Sequence, residues 1–584
     1  MANTHTIDSL FRLKPYLLRY RGAIALGSLS VIATNLIGVL HPWVLKIAID
    51  DLTAGTDRRL LTRYALLLVL ISIGEGLFRF LMRRILIGMS RDVEYDLRND
   101  YYAHLQRLSP AFYQRNNTGD ILSRGTNDLN AVRMVLGPGI MYSMDTLATM
   151  TMTIVLLFSI DWRLTLLTFI PLSLVSFLVK YFGQKIHQRF EQIQEQLSDI
   201  TTRVQEYLSG IRVVKAYTQE ASALTDFDAA NQEFLRRNLA LIRLQSLLWP
   251  MMRAVLGMAF VVLLWYGGAQ VVAKRMSLGD FVAFMSYLGM LIWPVIALGW
   301  VVNIFQRGAA SMSRISRILD EPPEIQDSSE LVAVDRLAGD IEIRNLTFAY
   351  NGRNVLENIS LKVPRGRTLA IVGATGSGKS TLVHLLARLY RVPPGTIFID
   401  GHEIHRLPLG TLRSSIGFVP QDTFLFSEKV SENIAFGAPG AGRPEIEAAA
   451  RISSVFGDIE DFPNKFDTYV GERGITLSGG QKQRIAISRA VAIDPRILIL
   501  DDALSSVDTY TEELILGQLT GVMRNRTTIL ISHRVSTIRN ADHIVVLDGG
   551  RIAEQGTHNQ LLDRDGIYAE LHYRQLLREE LGMD

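Results

Sequence analysis

Two short stretches of the sequence carry residue types that bind phosphate groups and a hard metal cation. The first, GATGSGKS (Gly373–Ser380), has the spacing G-x4-G-K-[ST] and lies between a β-rich run and a helix-forming run. Glycines in this setting let backbone N–H groups close around phosphate oxygens, and the dipole of the following helix adds to the attraction. We expect Lys379 to reach the β- and γ-phosphates and the Ser380 hydroxyl to ligate Mg²⁺.

The second stretch is ILILDDALSSVD (Ile497–Asp508), in which four aliphatic residues lead into two adjacent acids. The aliphatic run is typical of a buried parallel strand. An acid at the end of such a strand faces the phosphate-binding loop, so we predict that Asp501 holds Mg²⁺ through water. Asp502 then takes the position that orients or polarises an attacking water. The two stretches together predict a site that binds and hydrolyses a nucleotide with Mg²⁺.

These residues lie in the second part of a chain of 584 residues, a length that favours several domains. The polar stretch LDEPPEIQDSSE precedes IEIRNLTFAY, which alternates as a strand does. We predict a transmembrane domain over residues 1–320, a linker over 321–340 and an α/β nucleotide-binding domain over 341–584.

The first part contains six apolar runs of about 20 residues, the length of a membrane-spanning helix. They are Ala23–Leu45, Leu61–Phe80, Val135–Ile160, Leu164–Phe182, Leu248–Val272 and Phe281–Phe305. Short links join spans one and two, three and four, and five and six, whereas long polar helix-forming stretches join the other spans. Arginines and lysines in the long stretches favour the cytoplasmic side. We therefore predict a multi-pass protein of the cell inner (plasma) membrane with both termini in the cytoplasm.

Charged residues inside the predicted spans invite a functional interpretation because they are costly there. Glu75 and Arg79 stand four apart on one helix face, where they form a structural ion pair or touch a substrate. Lys46 is predicted to extend toward the membrane surface, while Asp145 and Arg253 receive no assignment. Several large apolar residues either line an adaptable cavity or face lipid: Trp249, Met251, Met252, Phe260, Trp293 and Trp300.

Composition excludes several other classes of site. The chain has no cysteine, which rules out disulfides, thiolate zinc sites and cysteine nucleophiles. Its net charge of +3 argues against a nucleic-acid binder driven by bulk electrostatics. The first residues show no signal-peptide pattern, and apolar and basic residues between Leu10 and Arg21 predict an interfacial or surface helix.

Further motifs complete a resemblance to a known family. TLSGGQKQRIAISRA precedes the acidic strand, FVPQD lies between that strand and the P-loop, and ILISHRVSTI follows. Together they resemble the nucleotide-binding domain of ATP-binding cassette (ABC) transporters. With six spans in front, the chain resembles a half-transporter of the ABC exporter fold, which implies six membrane helices followed by an α/β P-loop domain with a helical subdomain.

The resemblance implies a role for each motif residue. Tyr350 would stack on adenine, Gln421 would sense Mg²⁺ and couple to the membrane half, and His533 would contact the γ-phosphate. The signature loop would clasp ATP held by the opposite subunit, and Ser505–Asp508 would link the two sites. The implied nucleotide-binding set is Tyr350, Gly373, Ala374, Thr375, Gly376, Ser377, Gly378, Lys379, Ser380, Thr381, Leu477, Ser478, Gly479, Gly480, Gln481 and Asp508. The implied metal set is Ser380, Gln421 and Asp501, and the implied catalytic set is Asp502, His533 and Gln421.

The resemblance also implies contacts that connect the two domains. Glu472 and Arg473, in YVGERG, resemble a loop that cross-links to the membrane domain. The stretches NNTGDILSRGTNDLNAV and QEYLSGIRVVKAYTQE resemble the two coupling-helix regions of exporters.

Asp502 departs from the family pattern, because members that hydrolyse well usually carry Glu there. An aspartate side chain is one methylene shorter, so its carboxylate lies about 1.5 Å, the length of one C–C bond, behind the position that a glutamate carboxylate would reach. A misplacement near 1 Å can cost about a hundredfold in rate. The departure resembles the weak subunit of heterodimeric exporters, so we favour a heterodimer with a second ABC half-transporter over a homodimer in which Asp502 is competent.

Other functions remain open at this stage. The same fold serves importers, non-transporting regulators and ATP-gated channels, and a P-loop also occurs in soluble enzymes, which the six spans oppose. The favoured function is ATP-driven export, by alternating access, of a hydrophobic or amphipathic drug, lipid or peptide. The expected partners are membrane lipids, that substrate and a second subunit, without nucleic acid.

Overall fold

The computed structural model describes residues 9–55, 58–471, 474 and 476–580. Contacts between Cα atoms divide the chain into two compact units. The first comprises the chain up to Gln106 together with Thr118–Glu321, and the second comprises Arg107–Asn117 together with the chain from Pro322 onward. The division after Glu321 falls beside the predicted domain boundary, and the assignment of Arg107–Asn117 to the second unit is a difference from the prediction.

The first unit is helical throughout. A 3₁₀ helix, Ser9–Leu13, comes first, and π-helical turns occupy Arg124–Asp128, Val135–Gly139 and Leu263–Gly267. The α-helices are Lys14–Arg19, Arg21–Gly38, Leu40–Thr53, Arg58–Leu105, Thr118–Ser123, Leu129–Met134, Ile140–Ile160, Trp162–Ser209, Ile211–Ala216, Glu220–Val262, Gly268–Val272, Leu278–Met290 and Ile292–Leu319.

Five helical segments of the described residues are long and apolar enough to cross a membrane, and they contain five of the six predicted spans. The sixth, Leu164–Phe182, lies in the helix Trp162–Ser209, and part of its side chains falls outside the described residues, so this span stays a prediction. The helix Arg58–Leu105 would extend about 70 Å at 1.5 Å per residue. Because this exceeds the hydrocarbon thickness of about 30 Å, the span continues as a helix beyond the membrane, as predicted.

Two basic residues of the predicted spans form ion pairs with acidic side chains. Arg79 donates a short hydrogen bond to Glu75, which confirms the predicted pair. Lys46 lies 2.6 Å from Asp280 and packs over the Trp43 ring. The lysine is therefore held by a carboxylate, which the prediction of simple extension toward the membrane surface missed.

The second unit is built on two sheets. The strands are β1 (Ile341–Tyr350), β2 (Arg353–Val363), β3 (Thr368–Gly373), β4 (Ile397–Ile399), β5 (His402–Glu403), β6 (Ile416–Val419), β7 (Ile497–Asp501), β8 (Thr527–Ile531), β9 (His543–Asp548) and β10 (Arg551–Gly556). An antiparallel sheet has the order β2-β1-β4-β5, and a larger one has the order β10-β9-β3-β8-β7-β6. In the larger sheet β6, β7, β8, β3 and β9 are parallel, so their carboxyl ends meet at one edge.

Helices cover the larger sheet and form a separate subdomain. The α-helices of this unit are Pro110–Arg115, Lys379–Leu386, Leu409–Ser414, Val430–Ala435, Arg443–Ile452, Phe456–Glu460, Gly479–Ala492, Thr509–Met523, Val535–Ile538, His558–Asp563 and Ile567–Glu580. The segment 425–485 has its own apolar core, which includes Leu425, Phe466 and Ile485. This is the helical subdomain that the family resemblance implied.

The segment Arg107–Asn117 contains a short helix, Pro110–Arg115. Ser109 precedes it in extended conformation and donates a 2.8 Å hydrogen bond to Glu324. Gln114 donates a 2.7 Å hydrogen bond to the hydroxyl of Tyr390. The first predicted coupling region, which starts at Asn116, therefore begins where this helix ends. The dipeptide Ser109-Pro110 is a helix-start signal that would have located the helix.

Residues 322–340 form neither helix nor strand but are held against the second unit. The carboxylate of Asp400 accepts hydrogen bonds from the backbone N–H groups of Ala338, Gly339 and Asp340 at 2.6, 3.0 and 2.8 Å. Leu337 is buried in the main core. The predicted linker is thus fixed to the domain that follows it.

Candidate functional site

The phosphate-binding loop joins β3 to the helix Lys379–Leu386, as the sequence predicts. Gly376 and Gly378 have φ of +83° and +99°, in the left-handed region that favours glycine. A Cβ on Gly373 would lie 2.1 Å from the carbonyl oxygen of Leu547, and one on Gly378 would lie 2.6 Å from the Leu356 side chain. The loop can therefore keep this shape only with glycine at these positions.

The loop holds a buried lysine above its own carbonyl groups. The Lys379 ammonium donates hydrogen bonds to the carbonyl oxygens of Gly373 and Ala374, both at 2.9 Å. Burial lowers the pKa of Lys379, and the nearby carboxylates of Asp501 and Asp502 oppose that shift. The ammonium is thus placed where phosphate oxygens would replace the two carbonyl partners.

Asp501 and Ser380 form a site that fits a divalent cation. The Ser380 hydroxyl donates to Asp501 Oδ1 at 3.1 Å. Asp501 is only 1% exposed, and within the described part of the chain its Oδ2 is buried without a hydrogen-bond partner. Burial raises the pKa of Asp501, although Ser380, His384 and Lys379 act in the opposite direction. Oxygen ligands of this kind suit Mg²⁺, which keeps several waters and phosphate oxygens in its shell.

The parallel sheet brings the predicted catalytic residues together. A cavity of about 210 Å³ is lined by Val355, Thr375, Gly376, Gly378, Lys379, Ser380, Thr381, Gln421, Asp501, Asp502, Ile531 and His533. Gln421 follows β6, Asp501 ends β7 with Asp502 directly after it, and His533 follows β8. These side chains meet because the carboxyl ends of the three strands lie at the same edge.

Asp502 has a constrained backbone. Its φ is +48°, a conformation that aspartate adopts more readily than most residues. Its N–H donates a 2.9 Å hydrogen bond to the carbonyl oxygen of Ile531. The Ser505 hydroxyl donates to the Asp502 carbonyl at 3.0 Å. Hydrogen bonds therefore fix the backbone on both sides of this residue. How far the carboxylate reaches into the cavity is set by the length of the side chain.

Tyr350 lines a second cavity of about 600 Å³ that shares Ser380 and Thr381 with the first. Its ring packs edge-on against Tyr390, with centroids 5.2 Å apart. Gln114, which hydrogen-bonds Tyr390, also lines this cavity, as does His384, whose pKa is lowered by burial. An aromatic-walled space next to the phosphate loop is suitable for a nucleotide base.

The signature segment lies apart from both cavities, which none of its described residues lines. Ser478 and Gln481 form a reciprocal cap at the start of the helix Gly479–Ala492. Gly479 and Gly480 lie against Ser506, because a Cβ on either would meet that residue at 3.3 and 3.1 Å. Asp508 caps the next helix through the N–H of Thr511 and also lies outside the cavities. Glu472 and Arg473 fall outside the described residues.

Sequence reasoning missed the residues that support these loops. Gln483 donates to the Ser505 hydroxyl and accepts from the Ser506 N–H, at 3.0 and 2.9 Å, and so joins the signature helix to the loop after Asp502. Asp458 accepts hydrogen bonds from Gln481 and Arg484. Gln483 and Arg484 lie within the stretch TLSGGQKQRIAISRA and could have been singled out, whereas nothing in the sequence pairs Asp458 with them.

Glu512 supports the segment that carries His533. Its carboxylate is 1% exposed and accepts short hydrogen bonds from Arg534 and Thr537. Arg534 also donates to the carbonyl oxygen of Val507 at 3.2 Å. The residue next to His533 is therefore tied to the loop after Asp502, although Glu512 looks like an ordinary helix-surface acid in the sequence.

The fold and the site define a class of protein: an ATP-binding, ATP-hydrolysing domain preceded by membrane-spanning helices. Comparison with known families agrees with this. Residues 24–295 match the model for the ABC transporter transmembrane region, and residues 356–505 match the model for the ABC transporter. The chain therefore belongs to the ABC transporter family; it is a multi-pass membrane protein and an ATP-hydrolysing transporter.

Individual relatives span nearly the whole chain. One is "Probable multidrug resistance ABC transporter ATP-binding/permease protein YheI" of Bacillus subtilis (strain 168), 39% identical over 97% of this chain and 96% of the relative. Another is "Multidrug resistance-like ATP-binding protein MdlA" of Escherichia coli (strain K12), 38% identical over 96% and 94%. A solved structure of a bacterial Atm1-family ABC exporter with ATP bound superposes with a TM-score of 0.77, at 30% identity, over 96% of this chain and 98% of that one.

Proposed function

We propose that this chain is one subunit of a heterodimeric ABC exporter that moves a hydrophobic or amphipathic substrate out of the cytoplasm, and that its own P-loop site hydrolyses ATP slowly. The observation that carries the proposal is Asp502, a short acid in a site whose other parts are complete. The names of relatives, two of them multidrug-resistance proteins and one an exporter, support the direction and the substrate class.

The argument for a slow site starts from the backbone of Asp502. Because its N–H and carbonyl are both hydrogen-bonded, the backbone does not advance to compensate for the missing methylene. The carboxylate therefore stays about 1.5 Å short of the place that a glutamate would reach. A displacement of about 1 Å can lower a rate about a hundredfold. ATP binding, which rests on the P-loop, Lys379 and the base-binding cavity, is unaffected by this change.

A second subunit is supported by two exposed features. The signature loop is well formed, with its cap in place, yet lies outside the cavities of its own site. The helix Ile211–Ala216 lies in the second predicted coupling region. The apolar side chains of Ile211 and Val213 on this helix are exposed, and so is the ring of Tyr217, which follows it. Both surfaces suit contacts with a partner of the same fold. An unequal pair of ATP sites needs a partner that carries the longer acid.

The residues then divide the work as follows. Lys379 and the P-loop N–H groups would hold the phosphates, and Ser380, Asp501 and Gln421 would hold Mg²⁺, which would neutralise charge at the phosphates when bound. Asp502 and His533 face the γ-phosphate end of the site. ATP biases the transporter toward the closed pair of nucleotide domains because it binds that state more tightly. Closing the pair opens the membrane cavity outward, and hydrolysis at the competent site resets it.

The test is steady-state ATP turnover of the full chain in lipid nanodiscs, with ATP binding measured in parallel. We expect wild type to bind ATP with little turnover. Asp502→Glu should raise turnover by about 10- to 100-fold in a dimer of the chain with itself. Asp502→Ala should bind ATP as wild type does.

Brisk turnover by wild type that Asp502→Ala abolishes would instead support a homodimer in which Asp502 is the competent acid. Unchanged turnover in Asp502→Glu would overturn the explanation by side-chain length. Vesicle transport assays decide between export and import, because only an exporter accumulates substrate in inside-out vesicles.

A further inference from the structure

The acidic side chains within the membrane-spanning helices differ in whether a basic residue neutralises them. Glu75 is paired with Arg79, and its second oxygen lies 3.6 Å from His41. Asp280 is paired with Lys46. Asp145 forms no ion pair with any basic side chain among the described residues. An unneutralised carboxylate in a span is costly and is by default a sign of function.

Asp145 lies within a predicted membrane span. It belongs to the helix Ile140–Ile160, which ends at the short link before the next helix. At 1.5 Å per residue, it is about 22 Å from that end along the helix axis. Because the hydrocarbon core is about 30 Å thick, the carboxylate lies within the core, closer to the boundary opposite that helix end.

A neighbouring amide fixes the carboxylate in place. Asn35, on the helix Arg21–Gly38, donates a 2.8 Å hydrogen bond to Asp145 Oδ1 and a 3.0 Å bond to the carbonyl oxygen of Val31. Thr149, one turn after Asp145, donates to the Asn35 oxygen. This arrangement orients the Asn35 amide so that Asp145 acts as an acceptor. The other carboxylate oxygen receives no hydrogen bond from the described residues and is free to meet a ligand.

Aromatic rings lie on the same side of the helix. Tyr142 stands three residues before Asp145 and shares its face. Its ring packs edge-on against Trp300, with centroids 5.0 Å apart. Trp300 is 44% exposed, and Trp293, two turns earlier on the same helix, is 57% exposed. Tryptophan and tyrosine faces attract organic cations, most strongly where water is excluded.

We propose that Asp145, with Tyr142 and Trp300, forms a binding subsite for lipophilic organic cations. The inference rests on the proposed export function and narrows its substrate class. The carboxylate supplies the charge that a monovalent cation needs in a medium of low dielectric constant. The aromatic rings supply contact with its apolar body. Asn35 and Thr149 are positioning residues, since they hold the carboxylate rather than touch the ligand.

The probes are tetraphenylphosphonium and tetraphenylborate, which have nearly the same size and shape and opposite charge. Equilibrium binding of each is measured to the full chain in nanodiscs of zwitterionic lipid without nucleotide, with empty nanodiscs subtracted. We expect wild type to bind the cation and not the anion. Asp145→Asn should weaken cation binding by about tenfold or more. Trp300→Leu should weaken it several-fold while sparing the preference for positive charge.

Glu75→Gln is the matched control, because it removes another carboxylate from the spans that already has a partner. It should leave cation binding within about twofold. Asp145→Asn must elute as wild type does and keep its ATP affinity, which shows that the protein is folded. The isosteric variant retains the acceptor that meets Asn35.

Equal cation binding by wild type and Asp145→Asn overturns the proposal, as does equal affinity of wild type for the two probes. Because binding is measured without ATP, neither result depends on the rate at Asp502. A chain that lacks the cation preference but still shows ATP turnover stimulated by neutral apolar compounds refutes this subsite and leaves the export function standing.

Discussion

The contact between Asp458 and the signature helix makes a quantitative prediction. Arg484 donates to Asp458 at 2.7 and 3.1 Å, and Gln481 donates at 3.0 Å. Burial alone would raise the pKa of Asp458, but these hydrogen bonds and the charge of Arg484 lower it. The carboxylate therefore stays ionised and holds a guanidinium that is only 13% exposed.

Asp458→Asn keeps the shape of the side chain but replaces one acceptor oxygen by an N–H₂ group that faces the Arg484 donors. A hydrogen bond to a charged group contributes about 1.5–3 kcal/mol, so we expect the start of the signature helix to lose about 2 kcal/mol of local stability. A free-energy change of 1.4 kcal/mol changes an equilibrium constant tenfold. Local opening of the start of the signature helix should therefore become about thirtyfold more frequent. The Ser478–Gln481 cap should open with it.

Amide hydrogen exchange measures this opening directly, because exchange of protected amides follows the free energy of local opening. The amides of Gln481 and Lys482, which donate to Ser478, should exchange about thirtyfold faster in Asp458→Asn. The P-loop amides serve as an internal reference and should not change.

Glu460→Gln provides the matched control on the same short helix. Glu460 pairs with Lys465 near the surface, where the two side chains are 35% and 58% exposed, so loss of the pair should cost less than about 1 kcal/mol. If Asp458→Asn exchanges no faster than Glu460→Gln at Gln481 and Lys482, the claim that Asp458 holds the signature helix is wrong.

Three further predictions concern the nucleotide site. Because burial raises the pKa of Asp501 and a cation needs the ionised form, the Mg²⁺-dependent part of ATP affinity should be full at neutral pH. It should be lost as pH falls through a value above the ordinary aspartate range, and Asp501→Asn should remove both the Mg²⁺ dependence and its pH profile in binding titrations. Gly378→Ala, with φ of +99° and a Cβ 2.6 Å from Leu356, should lower ATP affinity on the order of a hundredfold, whereas Gly440→Ala in open space should not. Glu512→Gln should lower turnover about tenfold in the Asp502→Glu background, with ATP affinity within about twofold, because it disturbs the loops beside His533 rather than the P-loop; unchanged turnover would contradict that role.

Local sequence patterns predicted much of the fold and the core of the site. The P-loop is specified by three glycines, a lysine and a serine between a strand and a helix, and all of its features are local. The run Ile497–Leu500 was correctly predicted as a buried parallel strand. A short continuous aliphatic run is typical of a strand that is covered on both faces of a parallel sheet. Five spans followed from apolar length alone, which is the strongest single signal in a membrane protein.

Residues with weak individual signals needed the family resemblance. Gln421 and His533 are unremarkable side chains in the sequence, and their roles were inferred from motif position. The structure places both beside the P-loop because each follows a parallel strand of the same sheet. Strand order is set by pairing between segments far apart in sequence, which no local pattern encodes.

Other features depended on the tertiary structure altogether. Asp458, Gln483 and Glu512 each bind two residues that lie 22 to 26 positions away in the sequence. Such pairings depend on the geometry of the folded chain and cannot be recognised from residue type. The helix Pro110–Arg115 joined the second unit through contacts with residues more than 200 positions later.

Asp145 shows the same limit within the membrane. Its presence in an apolar run was evident from the sequence, but the lack of a basic partner and the contact with Asn35 were not. The sequence by itself determined which residues are chemically able to act, since composition and local periodicity are properties of the chain. Which of them meet, and which charges are left without a partner, was decided by packing between helices and strands that are distant along the chain.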